Sequence, residues 1–77
     1  MLVAATERVS VATAADVEGA EALAQAQLRY STGTSPITEL LDVQAAATAA
    51  TLQLLEARRD LFVARAALDL AYGVNDR

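Results

Sequence analysis

One short interruption constrains this chain more than anything else in it. From Leu2 to Tyr72 the sequence offers helix formers almost without pause, and only Thr32-Gly33-Thr34-Ser35-Pro36 breaks the run. Gly33 can supply the positive φ that commonly ends a helix. Arg29, one turn earlier, sets a cation against the negative end of the helix dipole. Ser35 is expected to cap a second helix, with Pro36 at its first position, where a missing N–H costs nothing. Glu39 and Asp42 then place negative charge near that helix's positive end. Helices are expected over about residues 2–32 and 36–72, with the tip at 33–35 and Gly73 as the second stop. Two helices of such length joined by one tight turn make an all-α, antiparallel coiled-coil hairpin that takes up residues 1–77 as one unit.

The apolar spacing supports that reading. In the second half, alternating steps of three and four pick out Leu40, Val43, Ala47, Ala50, Leu54, Ala57, Leu61, Ala64, Leu68 and Ala71. In the first half they pick out Leu2, Ala5, Val9, Ala12, Asp16, Gly19, Leu23, Ala26 and Tyr30. Larger residues generally occupy one heptad position, and Ala or Gly the other. Folded at the turn, facing residues have numbers summing to about 70, so one register serves the whole length. Tyr30 then meets Leu40, Leu23 meets Ala47, Gly19 meets Ala50 and Val9 meets Leu61. Asp16 is the one polar residue in the seam. It is expected to swing to the edge and pair with Arg58 or water, or else to pin the register between the helices.

A second apolar stripe lies beside this seam: Leu41, Leu55 and Phe62, with Ala45, Leu52 and Ala66 close by, and Val11, Ala15 and Ala22 on the first helix. A two-helix hairpin has one internal interface, so part of this stripe must stay exposed or meet further helices. Ordering a chain costs about 1.5 kcal/mol per residue, and an Ala-rich seam buries little area against that. Lateral neighbours are therefore expected.

Composition removes several function classes. The chain has no Cys and no His, which excludes disulfides, thiolate chemistry and most transition-metal sites. Its net charge is −4, a poor match to nucleic acid or to an anionic membrane surface. The longest apolar-rich stretch, Val43 to Leu55, is bounded by Asp42 and Glu56 and falls well short of the roughly 20 apolar residues of a membrane span. No signal peptide is expected, because Met1-Leu2-Val3-Ala4-Ala5 lacks a basic start and soon meets Glu7 and Arg8. The acidic residues spread along two rods with no pocket around them and no nucleophile–base pair. No enzymatic activity and no cofactor are expected.

The tip carries a more specific pattern. Arg29-Tyr30-x-x-Gly33-x-x-x-Ile37-Thr38-Glu39-Leu40-Leu41-Asp42-x-Gln44 resembles the hairpin tip of TolC-like outer-membrane efflux proteins. The likeness continues upstream through Glu21-Ala22-Leu23-Ala24-Gln25-Ala26. Downstream it runs through Leu54-Leu55-Glu56-Ala57-Arg58-Arg59-Asp60-Leu61 to Ala67-Leu68-Asp69-Leu70-Ala71-Tyr72-Gly73. Members of that family are trimeric channels with an outer-membrane β-barrel and a periplasmic α-barrel. Each subunit contributes two hairpins whose turns sit at the pore entrance and touch a periplasmic adaptor, which links the channel to an inner-membrane pump. The resemblance implies that Tyr30, Thr38 and Glu39 stand at the pore-entrance tip, and that Thr32, Gly33 and Thr34 form the adaptor contact. Some members carry an Arg two residues after the Gly; Ser35 stands there here, so an Arg-based gate contact is not expected. The resemblance also implies a periplasmic location and a single hairpin taken from a longer subunit.

Two other readings remain open from the residues. One is the hairpin of a periplasmic adaptor, which also presents a helical tip; the Tyr-x-x-Gly spacing and the Leu-Leu-Asp-x-Gln run favour the channel. The other is a free-standing coiled-coil module that self-assembles. In either case Thr38, Glu39 and Asp42 also serve as ordinary residues of a helix's first turn, and Tyr30 as a lid on the end of the seam.

Overall fold

The structure, a computed structural model, describes residues 2–75; Met1, Asp76 and Arg77, which the expected unit 1–77 includes, lie outside the described residues. It contains α1, Leu2–Ser31, and α2, Ile37–Asn75, packed antiparallel as a rod of 66 × 14 × 13 Å. The chain is an all-α helical hairpin.

The seam is the one written in the spacing. On α1 every residue of the expected set from Leu2 to Ala26 is shielded from full exposure, and only Ala15 joins them. On α2 the set from Leu40 to Ala64 is shielded, joined only by Asp60. The most enclosed positions are Ala5, Ala26, Leu54 and Ala57. Three of these four are alanines, so the core is close-set but thin, and each burial contributes little hydrophobic free energy. Long helices lacking a deep core depend on this one continuous contact.

At the open end the expectation fails. Leu68 and Ala71 are exposed, as are Leu70 and Tyr72. The reason is position: in the register that sums to about 70, Leu68 meets Leu2 in the first turn of α1, and the residues of α2 after it run beyond the described part of α1. Gly73 does not stop the helix, which continues to Asn75. Gly33 is the only glycine with positive φ among the described residues, so Gly73 sits within helical backbone as a tolerated, costly residue.

Two details fix the helix spacing and register midway. A Cβ placed on Gly19 would lie 3.4 Å from the Ala47 Cα and 3.6 Å from the Ala50 Cβ. The helices therefore approach closely here, across a layer of the smallest side chains. One turn away, the Thr51 hydroxyl donates to Asp16 Oδ1 at 2.6 Å. The same hydroxyl lies 3.2 Å from the Ala47 carbonyl, but it has one proton and the shorter, charge-assisted bond takes it. Asp16 is thus held by Thr51 and not by Arg58. The shorter reach wins, because Thr51 flanks the seam on the layer where Asp16 enters it.

The second stripe is largely exposed, and its place differs from the expectation. Leu41, Leu52, Leu55 and Phe62 are open to solvent, with Phe62 at 73%. At 100° per residue these positions lie about 150° round α2 from the seam, close to its back rather than beside its interface.

Gly19 leads to a prediction. Its surroundings leave ordinary contact distance for one methyl, so Gly19→Ala should gain about 0.5–1 kcal/mol through helix propensity. Gly19→Leu should force the helices apart and lower the midpoint of thermal unfolding. Circular dichroism melts of both variants measure this, and equal loss in both would show that the layer has no room. Thr51→Val should cost about 1 kcal/mol by leaving Asp16 without its donor, read in the same melts.

Candidate functional site

The turn is built from α1's unsatisfied carbonyls. The last four C=O groups of a helix have no partner within it and must find one beyond. Here the Gly33 N–H donates to the Tyr30 carbonyl at 3.0 Å and the Thr34 N–H to the Arg29 carbonyl at 2.9 Å. That pair of bonds, with Gly33 at φ +78°, is a Schellman cap. Side chains complete it. Ser31 Oγ donates to the Leu28 carbonyl at 2.8 Å, and Thr34 Oγ1 and Thr32 Oγ1 both approach the Arg29 carbonyl, at 3.0 and 3.1 Å. The Thr32 and Thr34 hydroxyls are themselves 3.3 Å apart. The hydroxyls thus point inward to the last carbonyls of α1.

Ser35 does not act as the expected cap. Its Oγ is buried and has no hydrogen-bond partner. α2 starts at Ile37, with the Glu39 N–H donating to the Pro36 carbonyl at 3.2 Å. The fixed φ of Pro36 sets the helix entry without help from the serine hydroxyl.

The candidate residues fall into three positions. Thr32, Gly33 and Thr34 are exposed at the extreme end of the rod. Glu39 reaches back across the turn, and Arg29 Nη2 donates to its Oε1 at 3.2 Å. Tyr30, 44% exposed, covers the end of the seam only in part. Thr38 is exposed and its hydroxyl makes no hydrogen bond among the described residues. The structure thus ties Glu39 to the Gly33 cap through Arg29, and leaves Thr38 apart from that network.

Arg29, which the sequence marks only as a cation at the end of the helix dipole, also bridges to Glu39 across the turn. Its number and that of Glu39 nearly satisfy the same sum that aligns the seam, so extending the register to flanking positions would have found the pair. A second cross-helix pair obeys the same rule: Arg8 Nη1 lies 3.7 Å from Asp60 Oδ2. Both pairs sit on one edge of the hairpin, and the Asp16–Thr51 bond on the other. Both ion pairs are open to solvent on at least one partner, and each contributes at most about 1 kcal/mol, screened by salt.

Beside the Arg8–Asp60 pair the same edge carries a shallow groove of about 570 Å³, lined by Ala4, Val11, Ala15, Gln53, Glu56 and their neighbours. It is open to solvent. Among the described residues no three acidic side chains converge to hold a metal ion, and no helix is long and apolar enough to cross a membrane. No family model matches the chain, and no curated protein and no solved structure is significantly similar to it.

The cap predicts its own sensitivity. Gly33→Ala must hold a side chain at positive φ and should cost about 1–2 kcal/mol, although no atom lies within 4 Å to clash with it. Gly33→Asn should cost less. Urea unfolding curves separate the two, and indistinguishable midpoints would mean the turn readily adopts another form.

Proposed function

We propose that this hairpin is a periplasmic coiled-coil segment of a TolC-like outer-membrane efflux channel subunit. Its turn stands at the pore entrance, and the assembly is a passive export conduit. The observation that carries the reading is the second apolar stripe. A helix that packs on one neighbour needs one seam; a helix in the wall of a ring needs two. On α2 the seam and the stripe are about 150° apart, which is the interior angle of a ring of about a dozen helices. Three subunits with two hairpins each, the arrangement the resemblance implies, supply that number.

The tip pattern gives the second support. The Schellman cap makes a stiff, polar end, suited to meeting like tips or an adaptor without melting. Thr32, Gly33 and Thr34 offer it an exposed surface. In this reading Tyr30 and Thr38 stand at the mouth, and Glu39 closes onto Arg29 at its rim. The partners are the other hairpins of a homotrimer, a periplasmic adaptor and, through it, an inner-membrane pump. Nothing in this arrangement calls for a cofactor or for catalysis.

The test is electrical. In a channel subunit that carries this hairpin, Glu39→Ala releases Arg29 from the rim and should raise the closed-state conductance in a planar bilayer. Cells bearing it should become more sensitive to large antibiotics. Unchanged conductance together with unchanged sensitivity would reduce Glu39 to a helix-start residue and remove the tip from the gate.

A further inference from the structure

The two edges of the hairpin carry opposite charge. The Asp16–Thr51 bond marks one edge and the Arg8–Asp60 pair the other. Steps of seven along the Thr51 edge of α2 read Ile37, Gln44, Thr51, Arg58, Arg65 and Tyr72, all exposed. The facing line of α1 reads Thr6, Thr13, Ala20 and Gln27, also exposed. The ionised groups on this edge are Arg58, Arg65 and, set back in the seam, Asp16. Behind the tip the opposite edge carries Glu18, Asp42, Glu56 and Asp60 against Arg8 alone. Neither Arg58 nor Arg65 makes an ion pair among the described residues. Asp69, one turn beyond Arg65, stands on the back of α2 with Leu55 and Phe62.

The angle between seam and back decides which edge a ring turns inward. Round α2 from the seam to Leu41, Leu52, Leu55 and Phe62, the shorter way passes through Thr51, Arg58 and Arg65. The longer way passes through Glu56 and Asp60. On α1 the shorter way from the seam to the exposed Val3, Val17 and Leu28 passes through Thr6 and Thr13. Both helices therefore agree. In a wall whose helices each touch two neighbours, the shorter arc is the concave side.

We infer that the Thr51 edge lines the bore of the channel, and that Arg58 and Arg65 make that bore favour anionic solutes over cations. The inference rests on the ring of the reading above and on no role of the tip. Arg58 and Arg65 are seven residues apart, so they stand at two heights about 10 Å apart along the axis. A dozen helices spaced by about 9 Å enclose a bore of roughly 25 Å. Arginine stems reach inward from its wall, which brings the axis within one Debye length, about 10 Å at 0.1 M salt, of the guanidiniums. Charge of one sign on a low-dielectric wall raises the local concentration of counter-ions, and arginine linings suit anions. Asp16 subtracts one charge per copy. Thr51 holds it against the seam, one turn from Arg58 and three turns from Arg65 in the hairpin's register. The acids of the opposite edge face away from the bore.

Ion selectivity tests this in a channel subunit that carries the hairpin, reconstituted in a planar bilayer across a potassium chloride gradient. Arg58→Glu with Arg65→Glu should shift the chloride-to-potassium permeability ratio several-fold toward potassium. Arg58→Gln with Arg65→Gln should shift it part of the way, and serves should the first pair fold poorly. Glu18→Arg with Glu56→Arg, on the other edge, should leave the ratio unchanged. In about 1 M salt, where the Debye length is about 3 Å, most of the arginine shift should vanish. A shift that survives high salt would mark a change of pore shape instead of charge and would overturn the proposal. So would an unchanged ratio in both arginine variants, or a shift produced only by the Glu18 and Glu56 pair, which would turn the acidic edge inward. A subunit that passes no current sinks the channel reading and this inference with it. Current whose selectivity ignores Arg58 and Arg65 sinks the inference alone.

Discussion

The left-handed backbone at Gly33 is the constraint on which the rest of this rod depends. A turn of five residues joins helices of 30 and 39 residues, so the turn alone decides which residue of α1 meets which residue of α2. Shifting that register by one position would carry the small residues out of the seam. The cap holds it with two backbone bonds and three hydroxyl contacts to carbonyls, and the Arg29–Glu39 pair braces it from outside. From this fixed point Gly19 falls onto Ala47 and Ala50, Asp16 onto Thr51, and Arg8 onto Asp60.

The same economy explains what the hairpin lacks. Few side chains become fully enclosed, and most of those are alanines. Close approach of the axes gives good packing but small area, and exposed ion pairs add little in water. Large apolar residues are instead spent on the backs of the helices, where a two-helix hairpin has no use for them. Among the described residues, many of the large hydrophobic groups thus form an exposed apolar surface. That property supports the channel proposal.

Much of the fold was legible in the chain. The three-four spacing selected the seam residues because helical period and burial are linked by geometry that one sequence carries. The tip was legible because Gly and Pro have restricted or unusual backbone preferences. The partners of Asp16 and Arg29 were not, because a side chain's choice among neighbours depends on distances of a few ångströms. Ser35 shows the same limit: serine before proline is a favoured cap, yet here its hydroxyl is buried without a partner, and the turn is held by other groups.

The sequence by itself determined the all-α class, the hairpin, its register and its thin alanine seam, since propensity and periodicity act locally and repeat along the chain. Only the tertiary structure decided where α2 outruns α1, that Gly73 remains helical, that Thr51 holds Asp16, and that Glu39 is tied to Arg29 at the tip. These depend on two helices meeting at a particular height and rotation. Within the register, which side chain reaches which partner is settled by distances of a few ångströms, and no local propensity or period contains these.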